Sequence, residues 1–300
     1  MRRAAARIKL ELLTRHRAPL EYARARYRAA LVTASETAVR NDFPPGRLTA
    51  DGEFYLEVRG LMIYYNLHHP EWTPGDGQSL EVPTGRDTTP LEQFVLDQVA
   101  RGGVYIDVGA NNGFFYALQV AQRHPDVKVF AFEPDPQILP HLERNVRNNG
   151  FAGRVDIVPL AVSDQSGTAL MTAGLGASGY LLEPDAVEHA IEVTRTTLDE
   201  FVQKRGLSRL DLVKVDIEGH EERMLAGSRE TLIELRPLLV LELSGALLSR
   251  SGGSRERVAE LLTKARYSLY DVTFSNDAVA FPQERVPLDI PEWLVPARVT

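Results

Sequence analysis

Three groups of polar residues in this chain have the types and spacing for chemistry. Asp107-Val-Gly-Ala-Asn-Asn-Gly113 continues the apolar run Val104-Tyr-Ile106, so an acid and two glycines sit where a buried strand breaks into a turn. Phe130-Ala-Phe-Glu-Pro134 ends a second apolar run in an acid, Glu133, 26 residues after Asp107 (133 − 107). Asp211-Leu-Val-Lys-Val-Asp-Ile-Glu-Gly-His-Glu221 embeds Lys214 and Asp216 in a third run. An acid roughly 20 residues beyond a glycine turn can accept hydrogen bonds from both ribose hydroxyls. The first two groups therefore describe a nucleoside pocket at the edge of a parallel sheet.

The glycines say which nucleoside. A dinucleotide turn needs G-x-G-x-x-G, so that bare backbone can approach a pyrophosphate at a helix N-terminus. Counting from Gly109, Asn111 holds the second glycine position and Phe114 the third, and Asp107 would repel the pyrophosphate. An acid there suits the ammonium and sulfonium of S-adenosyl-L-methionine, whose product is S-adenosyl-L-homocysteine. Gly109 and Gly113 supply the backbone freedom such a turn requires.

In the third run, the period of two puts Lys214 and Asp216 on one strand face, opposite Val213 and Val215. Burying them costs several kcal/mol unless they are paired or used. They are either a structural ion pair or a polar floor beneath a methyl-transfer centre. Gly219 turns the chain into a helix whose start is crowded by Glu218, His220 and Glu221. Asp216 and His220 are the competing general bases, and the helix dipole lowers the basicity of the histidine. Asp216 and Glu242 can also be placed around a divalent metal with paired substrate hydroxyls, although no metal-specific spacing calls for it. The glycine-rich stretch Gly174–Tyr180 reads as an ordinary loop or as a substrate-side loop with Ser178 as donor.

These groups need a frame. Strands are predicted near 104–108, 127–132, 154–158, 211–216 and 238–243, and helices near 113–123, 136–149, 197–204, 219–235 and 254–265. That alternation implies right-handed crossovers and a parallel sheet. Two further strands, Tyr267–Phe274 and about 277–287, suit an antiparallel finish. Upstream, Pro90–Val99 reads as an amphipathic helix stopped by Gly102-Gly103, and Phe54–Asn66 as a small hairpin around Gly60. Residues 70–90 are broken by Pro and Gly and are expected to lie over the pocket. The expected division is an accessory segment over 1–90 and a nucleoside-binding domain over 91–300.

At 300 residues the chain holds one large α/β domain plus an accessory piece. Zero cysteines exclude disulfides, thiolate zinc sites and cysteine nucleophiles, and fit a reducing compartment. No segment approaches the roughly 18 apolar residues of a membrane span, and no secretory signal is visible, so the expected location is cytoplasmic. Residues 1–40 carry ten Lys or Arg against three acids, +7, which leaves −14 on the rest of a chain of net charge −7. So acidic a body is a poor nucleic-acid binder. The basic segment is either a solvated helix docked on this body or a contact for a membrane surface or an anionic substrate; a helix pair there also suits a homodimer.

The chain resembles the FkbM-type family of S-adenosylmethionine-dependent methyltransferases. The matching pieces are Asp107–Gly113, Phe132-Glu-Pro134, Leu142-Glu-Arg-Asn-Val-Arg-Asn-Asn149, Leu160-Ala-Val-Ser-Asp164, Thr197-Leu-Asp199, Leu212–Gly219 and Val240-Leu-Glu242, over about residues 90–245. The resemblance implies a class I methyltransferase fold of α/β type, Rossmann-like, with seven strands, the last antiparallel, and helices on both faces. It implies O-methylation of a hydroxyl on a sugar, glycolipid or polyketide-like natural product. It puts Asp107, Gly109, Asn111 and Gly113 around the methionine part of the cofactor, Glu133 at the ribose, and Val162, Ser163 and Asp164 near adenine. Asn112 departs from the family, which often has an apolar residue there. In this reading Asp216 borders the cofactor and, with His220 and Lys214, forms the catalytic set. An NAD-dependent oxidoreductase and a non-catalytic nucleoside-binding scaffold are the alternatives.

Overall fold

The computed structural model describes residues 46–48, 54–65, 88–99, 101–172, 181 and 190–297. Expectations for the basic segment 1–40, the irregular stretch 66–87 and Gly174–Tyr180 with Ser178 fall outside these residues. The described chain opens on the expected hairpin. β2 (Phe54–Val58) and β3 (Leu61–Tyr65) pair antiparallel about Arg59-Gly60, and β1 (Gly46–Leu48) joins β2. α1 (Pro90–Gln98) follows, started by a capping box in which Thr89 and Glu92 satisfy each other's backbone N–H.

Then the alternation begins: β4 (Val104–Val108), α2 (Ala117–Arg123), β5 (Lys128–Phe132), α3 (Leu139–Asn148) and β6 (Val155–Val158). After a small excursion the chain returns through α4 (Leu198–Arg205), β10 (Leu212–Val215), α5 (Glu221–Ala226), α6 (Arg229–Glu234) and β11 (Leu238–Glu242). It closes with α7 (Gly245–Arg250), α8 (Arg255–Lys264), β12 (Tyr267–Val272), β13 (Asp277–Pro282) and β14 (Leu294–Pro296). The main sheet runs β14-β12-β13-β11-β10-β4-β5-β6, with β6, β5, β4, β10 and β11 parallel and β13 antiparallel to β11. The order of strands reverses between β4 and β10, which is where an open α/β sheet leaves a crevice.

Strand alternation divides the core. Tyr105, Val129, Ala131, Leu212 and Val240 face a cluster with residues of α1 to α3, and Ile106, Phe130, Val213, Val215 and Leu241 face one with α4, α5 and α8. Helices thus cover both faces, as expected.

The structure differs from expectation in four places. An eighth strand, β14, lies beside β12, so the sheet is wider than the expected seven; three residues between Pro291 and Pro296 carry no periodic signal. The excursion is a separate sheet, β7 (Ala161–Val162), β9 (Ala190–Thr196) and β8 (Gly167–Thr172), in that order, whose half-exposed strands lack a continuous apolar run. The helix expected over 219–235 is two, α5 and α6, because Gly227 passes so close to the Ser163 carbonyl that a Cβ would lie 2.2 Å from it. The helix expected from 113 starts at Ala117, since Asn112 Oδ1 accepts the Phe114 N–H and holds a turn there.

Candidate active site at the β4–β10 switch point

Asp107 and Lys214 are direct partners across β4 and β10, so both side chains stand on the face covered by α1 to α3. Asp107 is 3% exposed and its Oδ2 accepts the Ala117 N–H at 2.9 Å, which ties the strand to the start of α2. Burial pushes its carboxyl up to about 7, against the pull of the Lys214 ammonium. Glu133 follows β5 by one residue and is 6% exposed. Its Oε2 accepts the Asn111 N–H and its Oε1 the Asp135 N–H, both at 2.9 Å. Burial likewise pushes it up to about 7. Between these acids the turn is held by Phe132 O, which accepts the Gly109 and Ala110 N–H groups. Gly109 has φ 82°, and a Cβ there would lie 1.9 Å from the Asp216 carbonyl oxygen. Asn111 takes the left-handed conformation, φ 52°, while Phe114 at the third glycine position is packed into the core.

Lys214 is 1% exposed, with its ammonium 3.4 Å from Asp216 and 3.3 Å from Asp277 and 5.5 Å from the centre of the Tyr116 ring. Burial works against its charge, but the two carboxylates outweigh it and hold the pKa above the ordinary lysine value. Asp216 also stands beside Glu242 at the tip of β11, their carboxylate oxygens within 4.8 Å of each other. Desolvation opposes ionisation of both; the ammonium keeps Asp216 ionised and low, and its negative charge raises Glu242. The pair therefore favours charge on Asp216 and a proton on Glu242. Carboxylate oxygens of Asp216, Glu218 and Glu242 all lie within 4.8 Å of one another.

His220 goes elsewhere. Its Nε2 is 3.0 Å from Ser163 Oγ, which also donates to Asp164, and its Nδ1 has no hydrogen-bond partner among the described residues. Burial drops it to about 4, leaving a neutral ring at pH 7. Val162, Ser163 and Asp164 follow one another off β7; Ser163 is fully buried and Asp164 lies between Arg195 and Arg223. The structure places Asp107, Gly109, Asn111, Gly113, Glu133, Lys214 and Asp216 on the adjacent strands β4, β5 and β10 and the turns that follow them. It groups His220 with Val162–Asp164 instead.

One residue of the site had no signal in the sequence, and another, named there only among the groups crowding a helix start, has a definite structural role. Asp277 comes from β13, sixty-three positions beyond its partner Lys214. Glu221, 1% exposed, accepts the Ile217 and Gly219 N–H groups at 3.2 Å and so shapes the turn after β10.

A family model described as Methyltransferase FkbM domain matches residues 107–269. The 31-O-demethyl-FK506 methyltransferase FkbM of Streptomyces tacrolimicus is 35% identical over 159 residues, covering 42% of this chain and 59% of its own. The 2-O-methyltransferase NoeI of Sinorhizobium fredii is 28% identical over 150 residues, covering 44% of this chain and 60% of its own. The chain spans about three-fifths of the length of these relatives. A crystal structure of a methyltransferase FkbM from Methylobacillus flagellatus overlays at a TM-score of 0.42 and 15% identity, covering 63% of this chain and 50% of that one. The family model takes in more than half of this chain, from the acid of β4 through the Lys214–Asp216 strand to β12, and the chain belongs to the FkbM methyltransferase family.

Proposed function

We propose that this protein is an S-adenosyl-L-methionine-dependent O-methyltransferase acting on a hydroxyl of a sugar, glycolipid or polyketide-like natural product. The observation that carries the reading is the pair of buried acids, Asp107 and Glu133, on neighbouring strand tips either side of the Gly109 turn. Asp107 accepts one backbone N–H and Glu133 two, which leaves acceptor capacity that fits a cationic ligand also presenting ribose hydroxyls. The close approach of Gly109 to the Asp216 carbonyl leaves no room for a side chain and packs the turn after β4 against the end of β10. Glu133 would hold the ribose, Asp107 and the Gly109–Gly113 turn the methionine part, and the Val162–Asp164 stretch would lie near adenine. The names of the relatives above, one a 31-O-demethyl-FK506 methyltransferase and one a 2-O-methyltransferase, support transfer to oxygen.

When bound, the cofactor supplies an electrophilic methyl on a sulfonium. The protein's part is alignment and proton removal. Asp216, kept ionised by Lys214 and 45% exposed, is the group placed to take the proton of an incoming hydroxyl. Glu242, held protonated beside it, favours the charged form of Asp216 before the hydroxyl arrives. Asp277 holds the other side of the ammonium, so Lys214 stays charged throughout. His220, neutral and turned to Ser163, is a weaker candidate for the base.

Binding of a small hydroxylated acceptor needs no nucleic acid, and the acidic body disfavours one. No helix among the described residues is long and apolar enough to cross a membrane. The +7 charge of residues 1–40 supports peripheral contact with an anionic surface, and a homodimer and a cytoplasmic location belong to the same reading. Calorimetry with S-adenosylhomocysteine tests the core of it. Wild type is expected to bind, and Glu133→Ala to lose about tenfold or more, the cost of charge-assisted hydrogen bonds. Equal affinity in the two proteins would remove Glu133 from the ribose.

A further inference from the structure

Two buried carboxamides join the accessory hairpin to the glycine turn, and nothing in the chemistry above uses them. Asn145, on α3 and fully buried, accepts the Tyr64 N–H of β3 at 2.6 Å through Oδ1. Its Nδ2 donates to the Asn112 carbonyl at 2.8 Å. An N–H on one side and a carbonyl on the other leave only one orientation of the amide that satisfies both. Gln119, on α2 and 4% exposed, repeats the arrangement. Its Oε1 accepts from Arg59 at the hairpin turn at 3.1 Å, and its Nε2 donates to the Phe115 and Phe114 carbonyls at 2.6 and 3.2 Å.

The hairpin is seated firmly enough to use this linkage. Asn149, one turn beyond Asn145, accepts the Met62 N–H and donates to the Met62 carbonyl, both at 2.8 Å. The two asparagines thus occupy the outer edge of β3 as a neighbouring strand would. At the other end Arg59 bridges to Glu92 at 2.9 Å and lies over the Phe114 ring. The carbonyls gripped on the turn, Asn112, Phe114 and Phe115, are flanked in sequence by two gripped N–H groups, Asn111 to Glu133 and Ala117 to Asp107.

We propose that Asn145 and Gln119 are positioning residues that couple docking of the hairpin β2–β3 to the conformation of the cofactor turn Gly109–Tyr116. The accessory segment is then part of the cofactor site and not an appendage to a self-sufficient domain. This rests on the assignment of that turn to S-adenosylmethionine. Coupling is reciprocal, so a ligand that orders the turn must also tighten the hairpin.

The test uses the full chain and S-adenosylhomocysteine as probe, reading affinity by calorimetry and amide hydrogen exchange at Met62 and Tyr64. In wild type, saturating ligand should slow exchange of both amides by about tenfold, within the usual span of such couplings. Asn145→Asp keeps the acceptor for Tyr64 but sets a carboxylate against the Asn112 carbonyl. It should weaken binding about tenfold and abolish the ligand's effect on exchange, with recovery at low pH as the new carboxyl becomes a donor again. Gln119→Glu makes the same change at the other relay and serves if Asn145→Asp does not fold. Ligand binding in wild type with unchanged hairpin exchange, or wild-type affinity in whichever variant folds, overturns the coupling. Absence of binding in wild type overturns the cofactor assignment itself, and the coupling with it.

Discussion

Asp216 and Glu242 stand one residue beyond the paired positions Val215 and Leu241, with carboxylate oxygens within 4.8 Å of each other. Their inequality comes from one buried cation: the Lys214 ammonium lies 3.4 Å from Asp216, so the negative charge settles there and the proton on Glu242. An exposed, ionised carboxylate beside a protonated one is an arrangement for accepting a proton and handing on its charge.

Turnover should therefore depend on Asp216 far more than on His220. Asp216→Asn is expected to lower kcat by roughly 10²–10⁴-fold, the usual worth of a positioned base, while S-adenosylhomocysteine affinity changes little. His220→Ala should leave kcat within a few-fold. Rates with labelled cofactor on an acceptor found by screening sugars and glycosides decide between them, and the reverse ranking would move the base to His220.

Lys214→Met should destabilise the fold. The variant leaves Asp216 and Asp277 facing each other without their cation. Breaking a buried pair typically costs about 3–5 kcal/mol, and a value at or below the low end is expected because the Asp216 side chain is 45% exposed. Urea unfolding measures it; a loss under about 1 kcal/mol would show that the ammonium carries little of the local stability.

Gly109→Ala should be worse than an ordinary turn substitution. Its Cβ would lie 1.9 Å from the Asp216 carbonyl oxygen, and that oxygen belongs to backbone held by the Asp216 N–H to Val108 O bond. Overpacking of about 1–3 kcal/mol adds to the strain of a left-handed non-glycine residue, about 1–2 kcal/mol. Thermal unfolding reads the sum, and S-adenosylhomocysteine binding should be lost in any fraction that folds.

The pH dependence of stability should carry the mark of Asp107. Its folded pKa, raised by burial to about 7, exceeds the unfolded value of about 3.9. The folded protein therefore holds this proton longer, and the stability it represents is complete below pH ~4 and lost as pH rises through about 7. Asp107→Asn lacks that titration but keeps an acceptor for the Ala117 N–H. The stability difference between the two proteins should swing toward the variant by up to about 1.4 kcal/mol per pH unit between pH ~4 and ~7. Comparing two proteins cancels His220, whose depressed pKa acts with the opposite sign. Parallel curves would mean that Asp107 titrates normally.

Much of this site was legible in the chain because its parts are local. Asp107 and the Gly109–Gly113 turn follow one strand, Glu133 follows the next, and Lys214 and Asp216 are two residues apart on a third. The periodicity that identifies those strands also says which way their side chains face. What was not legible had no local pattern: Asp277 arrives from an antiparallel strand, β7 is two residues long, β8 and β9 are partly exposed, and β14 is three residues ending in a proline. His220 looked equivalent to Asp216 in sequence, yet the helix start turns its ring to Ser163.

The order of residues alone determined the parallel strands and the acids at their tips, since each follows from alternation and from where glycine stands. Only the tertiary structure decided which charges meet and what each then becomes. Burial and distance set those outcomes: Lys214 is 1% exposed between two carboxylates, charge falls on Asp216 and the proton on Glu242, and Asn145 reaches a hairpin more than eighty residues upstream.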